Sequence, residues 1–145
     1  MTKRILVDSD AVLDLFLDRE PHHAVALRFF SHLQRNQQTI EAYVSPVAVA
    51  NVEYLLSKAN TQTYAINKIR GLRNFLSVAA MDQKVVDQAI SNPHRDFEDS
   101  LQYHCALARG LGWIVTRNGR DFLNEGIEVV TPEEFMAIDY MDTSR

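Results

Sequence analysis

Short apolar runs too brief to be helices alternate along this chain with longer stretches of helical spacing, and acidic residues sit just beyond several of those runs. The first, Arg4-Ile5-Leu6-Val7, reads as a fully buried strand that ends at Asp8. Ala11 to Phe16 and His22 to Gln34 follow with apolar residues at helical spacing, among them Val25, Leu27, Phe29, Phe30 and Leu33. Ala42-Tyr43-Val44 is the second strand, and Ser45-Pro46 opens a helix through Val49, Val52, Leu55 and Leu56. A third helical stretch spans Thr61 to Phe75, with Tyr64, Ile66, Ile69, Leu72 and Phe75 on its apolar side. Leu76 to Ala79 is a weak strand, and Asp82 caps a short helix to Ile90. Asp96 to Ala108 is a clearer helix ended by Gly110, followed by strands at Trp113-Ile114-Val115 and Glu128-Val129-Val130 and a closing helix from Pro132. This order favours an α/β sandwich around a mainly parallel sheet. In such sheets ligands bind beyond the carboxyl ends of the strands.

The acids fall where that rule gives them meaning. Asp8 and Asp10 follow the first strand, and Glu53 lies about two turns into the helix after the second. Asp96 and Asp99 open the helix before the fourth strand, and Asp121 follows that strand. In a parallel sheet all six come from one edge and can converge. Each also has a plainer reading: Asp8 as a turn residue, Asp96 as an N-cap with Asp99 in the first turn, Asp121 as a loop cap. Glu53 is harder to explain that way, because Val49, Ala50, Val52, Leu55 and Leu56 surround it and an unpaired carboxylate near a buried face is costly. Asp14 and Asp18 read as solvated, and His94 as a surface imidazole. The five histidines show no ligand spacing, so a carboxylate cluster here calls for a hard ion, Mg²⁺ or Mn²⁺, in preference to zinc.

The net charge of −4 and the pI of about 5.7 speak against nucleic-acid binding when taken alone. The objection weakens if several acids share one cation, which inverts the local field. Length fits one domain, read as residues 1–140 with a short tail at 141–145. No apolar run reaches the length of a signal-peptide core or a membrane span, so a cytoplasmic location is expected and no membrane partner. The one cysteine, Cys105, lies in an apolar helical stretch and reads as a small buried side chain.

Four segments resemble PIN domains. Ile-Leu-Val-Asp8-Ser9-Asp10-Ala-Val-Leu-Asp is similar to the opening strand and acidic turn, and Ser45-Pro46-Val-Ala-Val-Ala-Asn-Val-Glu53 to the second motif. Asp96-Phe97-Glu98-Asp99-Ser-Leu-Gln102 resembles the third, and Ile-Val-Thr116-Arg117-Asn118-Gly-Arg-Asp121-Phe122 the fourth. The likeness runs from Ile5 to about Ile138 and is greatest to the bacterial VapC-like toxin branch. It implies a three-layer α/β/α sandwich and an endoribonuclease that hydrolyses RNA through metal-activated water, leaving 3′-hydroxyl and 5′-phosphate ends. It implies Asp8, Glu53 and Asp99 as the acidic core, serving both as metal ligands and as catalytic groups. Asp96 joins as a catalytic accessory and Asp121 as a further metal ligand. Thr116, Arg117, Asn118 and Arg120 fall on the substrate side, the two arginines as phosphate contacts. Asn118 departs from the Asp that many PIN domains carry there. The same resemblance implies an antitoxin partner and a homodimer. Two alternatives stand beside it. One is a haloacid-dehalogenase-like phosphatase using Asp8-Ser9-Asp10; the other is a catalytically inactive PIN-fold binding module.

Overall fold

In the computed structural model, residues 2–119 and 126–143 are described. Five strands form one sheet in the order β3-β2-β1-β4-β5, all parallel. They are β1 (Lys3–Val7), β2 (Ile40–Val44), β3 (Leu76–Val78), β4 (Trp113–Val115) and β5 (Glu128–Val130). The helices are α1 (Ser9–Phe16), α2 (His23–Arg35), α3 (Pro46–Ala59), α4 (Gln62–Leu72), α5 (Gln83–Ser91), α6 (Phe97–Ala108) and α7 (Pro132–Thr143). Every element read from the sequence is present. Helix α7 continues through Thr143, past residue 140, where the tail was expected to begin. No helix among the described residues is long and apolar enough to cross a membrane.

The central strand explains the layering. Ile5, Leu6 and Val7 are all fully buried, as a strand covered on both faces must be. Alternation sends Ile5 and Val7 to one side, where they meet Val12 of α1, Phe29 of α2, Leu56 of α3 and Phe135 of α7. Leu6 points to the other, against Val85 of α5 and Tyr103 and Ala106 of α6. The result is the expected three-layer sandwich. Phe29, Phe30 and Leu33 belong to its core, as does Cys105. Two residues read as apolar-face positions lie on the outside instead: Leu27 is 48% and Ile66 39% exposed. In their helices the buried places fall to Ala26 and Ala65, whose small side chains allow close packing.

Topology then fixes where a site can lie. From β1 the chain moves outward through β2 to β3, then returns to add β4 on the opposite side of β1. The carboxyl ends of β1 and β4 are therefore the switch point, where the two connections diverge. Asp8 and Thr116, the residues just after those strands, face it.

Candidate active site

Asp8 caps α1. Its backbone is extended and its Oδ1 accepts from Ser9 N at 2.7 Å, satisfying a donor the helix cannot. The same oxygen accepts from Gln102 Nε2 of α6 at 2.7 Å, and Oδ2 accepts from Thr116 Oγ1 at 2.8 Å. The strand ends are clamped as well, with Asp8 N donating to Val115 O at 3.0 Å and Thr116 N to Val130 O at 2.9 Å.

Asp10 stands one step into α1. Its Oδ2 accepts from Arg117 N at 2.9 Å, from Asn118 Nδ2 at 3.3 Å, and lies 3.1 Å from Thr116 Oγ1. The Thr116 hydroxyl also receives Asn118 N at 3.1 Å, so its single proton must serve two carboxylates. Asp10 Oδ1 is buried with no hydrogen-bond partner. Burial first, and the charge of Asp8 second, push the Asp10 carboxyl up from its ordinary 3.8 to about 6.

The partners of the buried acids divide them into two kinds. Asp14, read from sequence as solvated, is 2% exposed and gripped by Arg117 through Nε at 2.6 Å and Nη2 at 3.1 Å. Its spacing of four from Asp10 places both on one face of α1, a signal the sequence carried. Asp139 is 1% exposed and held by Lys3 at 2.8 Å and His32 at 2.7 Å. Asp8 and Asp10 have no ion-pair partner among the described residues; neutral donors alone hold them.

Of the residues expected at the site, the structure joins Asp8, Thr116 and Asn118 directly; it brings in Asp10, read only as one of the converging acids, and Gln102, to which the sequence reading gave no role. Glu53 is half-buried on α3 and accepts from Ser57 Oγ at 2.8 Å. Asp96 is the N-cap of α6, its Oδ1 accepting from Glu98 N at 2.9 Å and Asp99 N at 3.3 Å. Asp99 is half-buried in the first turn of that helix. Asn118, which stands where many PIN domains carry Asp, turns its amide nitrogen to Asp10. Arg117 reaches the site through its backbone, while its guanidinium folds onto Asp14 beside a cleft of about 230 Å³ between α1, α2 and the start of α7. Arg120 and Asp121 lie outside the described residues. His94 is 9% exposed against Tyr103 and His104, and burial lowers its pKa, so it is not the surface imidazole expected.

Among the described residues no group of three or more His, Cys, Asp or Glu side chains is arranged to hold a metal ion. The pair at the switch point still suits a hard cation. Mg²⁺ commonly binds through one or two carboxylates with water and substrate phosphate completing its shell. A buried carboxylate oxygen without a donor, beside a second carboxylate, is the kind of group such an ion stabilises.

The PIN domain family model matches residues 4–120. Ribonuclease VapC1 of Aquifex aeolicus is 28% identical over 139 residues, covering 92% of this chain and 94% of its own. Among solved structures, Mycobacterium tuberculosis VapC20, described as a sarcin-ricin loop cleaving toxin, has a TM-score of 0.68 at 15% identity, over 86% of this chain and 98% of that one. DNA-bound VapBC from Salmonella typhimurium has a TM-score of 0.65 at 17% identity, over 91% and 99%. A toxin-antitoxin complex from Klebsiella pneumoniae gives 0.64 at 20% identity, over 88% and 97%. These structures share the fold. A haloacid-dehalogenase-like phosphatase is thereby set aside. With the acidic turn after β1, the Thr-Arg-Asn turn after β4 and a family match spanning most of its length, this chain belongs to the PIN domain family.

Proposed function

We propose that this protein is a Mg²⁺- or Mn²⁺-dependent endoribonuclease and the toxin of a toxin-antitoxin pair. The observation that carries the reading is the pair Asp8 and Asp10: two buried carboxylates at the switch point, held by neutral donors, one with a bare oxygen. The relative named as a ribonuclease supports RNA as the substrate, and the relatives named as a toxin or a toxin-antitoxin complex support an antitoxin partner; a homodimer is proposed alongside it.

Asp8, Glu53, Asp99 and Asp121 are the proposed ligands, and Asp10 Oδ1 is proposed with them; Glu53 and Asp99 would have to draw in towards Asp8 around the ion. When bound, the ion supplies Lewis acidity that relieves charge on a phosphate and acidifies water. Thr116 and Asn118 hold the two carboxylates at fixed spacing. Asp96 spends Oδ1 on its helix cap, which leaves Oδ2 to orient an attacking water. Arg117 spends Nε and Nη2 on Asp14, which leaves Nη1 for a phosphate; Arg120 is proposed for the same role.

The test is cleavage of RNA by protein purified free of host nucleases, with Mg²⁺ or Mn²⁺ and with EDTA. Activity should need the metal, give 5′-phosphate ends and vanish in Asp8→Asn. Full cleavage by that variant, or cleavage indifferent to EDTA, defeats the reading. A failure to bind Mn²⁺ in calorimetry would favour the inactive binding module instead.

A further inference from the structure

Gln102 is 3% exposed on α6, too deeply buried to touch an RNA chain, yet it makes one of the shortest bonds to Asp8. Its Nε2 donates to Asp8 Oδ1 at 2.7 Å while its Oε1 accepts from Ser45 Oγ at 3.1 Å. Ser45, fully buried, caps α3 by accepting from Ala48 N at 3.0 Å. Proton counting fixes every direction in this relay. A backbone N–H only donates, so the Ser45 hydroxyl proton is free for Gln102. A carboxylate only accepts, so the Gln102 amide must present nitrogen to Asp8 and oxygen to Ser45. The reversed amide sets oxygen against carboxylate at 2.7 Å and leaves a buried hydroxyl without an acceptor. The relay thus ties the start of α3, the middle of α6 and the β1–α1 junction to one oxygen atom.

We propose that Gln102, oriented by Ser45, is a positioning residue that sets the rotation of the Asp8 carboxylate and through it the affinity for the divalent ion. The proposal rests on the metal-ribonuclease reading. Asp8 Oδ1 holds two donors and Oδ2 one. Without Gln102, only Ser9 N and Thr116 Oγ1 remain, one on each oxygen, and the carboxylate is freer to turn about its Cβ–Cγ bond. Loss of a group that orients a metal ligand typically weakens affinity or activity by about 10–100-fold.

Gln102→Met keeps length and approximate volume and removes both polar groups, so packing alone predicts little change in metal binding. Calorimetry with Mn²⁺ should instead show binding weakened by about 10–100-fold. The KM for RNA at saturating Mn²⁺ should stay near the wild-type value, because Gln102 does not meet substrate. Ser45→Ala should show a smaller loss alone and no further loss when added to Gln102→Met, since both act through one relay. If Gln102→Met fails to fold, the wild-type protein still answers. Mg²⁺ titration followed by NMR should shift the Gln102 side-chain amide resonances, whose protons should exchange slowly with solvent. Wild-type affinity in Gln102→Met, additive losses in the double variant, or an unmoved amide resonance overturn the positioning role and leave the nuclease reading intact. A wild-type protein that neither binds Mn²⁺ nor cleaves RNA overturns both.

Discussion

Replacing Asp10 by Asn should stabilise the metal-free protein at neutral pH and reverse that effect in acid. A carboxyl held at about 6 in place of 3.8 is penalised in its ionised form, by about 3 kcal/mol. The sign follows from proton binding. Between those two values the folded state holds more protons than the unfolded one, so this group's contribution to stability falls as pH rises through the window. Below it the penalty is absent; above it the penalty is complete. Asn carries no charge, and its carbonyl can take the bonds from Arg117 N, Asn118 and Thr116. Its amide then occupies the place of Oδ1, and an amide N–H buried there without an acceptor costs about 1–2 kcal/mol. The balance at pH 7.5 in EDTA is a gain of about 1–2 kcal/mol, or about 3–8 °C in Tm for a domain of this size. At pH 4 the cost remains and most of the gain is gone, so the variant should melt below the wild type. Thermal unfolding of both proteins across pH 4–8 in EDTA measures the difference, which cancels carboxylates common to the two. A difference that keeps one sign and size across that range refutes the reasoning, because it would mean that Asp10 ionises as readily folded as unfolded.

Arg117→Met should cost about 3–5 kcal/mol in chemical denaturation, because it strands the buried Asp14, with Arg19 only 4.0 Å away as a partial substitute. Asp14→Asn should cost less, about 1–2 kcal/mol, since Arg117 is 28% exposed and can turn to water; equal costs would contradict the burial argument. Phe29→Ala should cost about 3–5 kcal/mol, because Phe29 is fully buried edge-to-face against Phe30 and Phe135. Cys105 is buried, and burial pushes its thiol up to about 11. A disulfide reagent at pH 8 should therefore modify it only on the timescale of unfolding, and rapid labelling of the native protein would count against its placement.

The order and type of all twelve elements could be read from sequence because strand and helix periods differ and because strong caps, Ser45, Asp82 and Asp96 among them, mark where helices begin. Sequence position was less informative about which acids matter. Asp14 and Asp10 are both on α1, and nothing local says that one meets a guanidinium and the other does not; Arg117 is 103 residues from Asp14. Gln102 could be seen in a motif, but its role depends on Ser45 and Asp8 arriving from two other elements. His94 was read as a surface imidazole, whereas Tyr103 and His104 cover it from α6, contacts that no local pattern announces. Periodicity reports faces; partners come from topology.

That distinction also explains how an acidic chain can serve a polyanionic substrate. Four acids in the described structure, Asp8, Asp10, Asp14 and Asp139, are buried at comparable depth, so burial alone does not select a site. Asp14 and Asp139 are neutralised by built-in cations, which makes them part of the scaffold. Asp8 and Asp10 are held by two backbone amides, a threonine, a glutamine and an asparagine, donors that fix geometry without cancelling charge. The fold thereby keeps an unbalanced charge at its topological switch point, at a cost of the order worked out above for Asp10. A mobile divalent ion is the natural complement to that charge, and its excess positive charge then faces a phosphate. An Arg or Lys introduced within reach of Asp10 Oδ1 should supply the missing cation permanently: it should raise Tm in EDTA, weaken Mn²⁺ binding and abolish cleavage together. If such a variant gained stability yet kept metal-dependent activity, the unbalanced charge would have a purpose other than holding the ion.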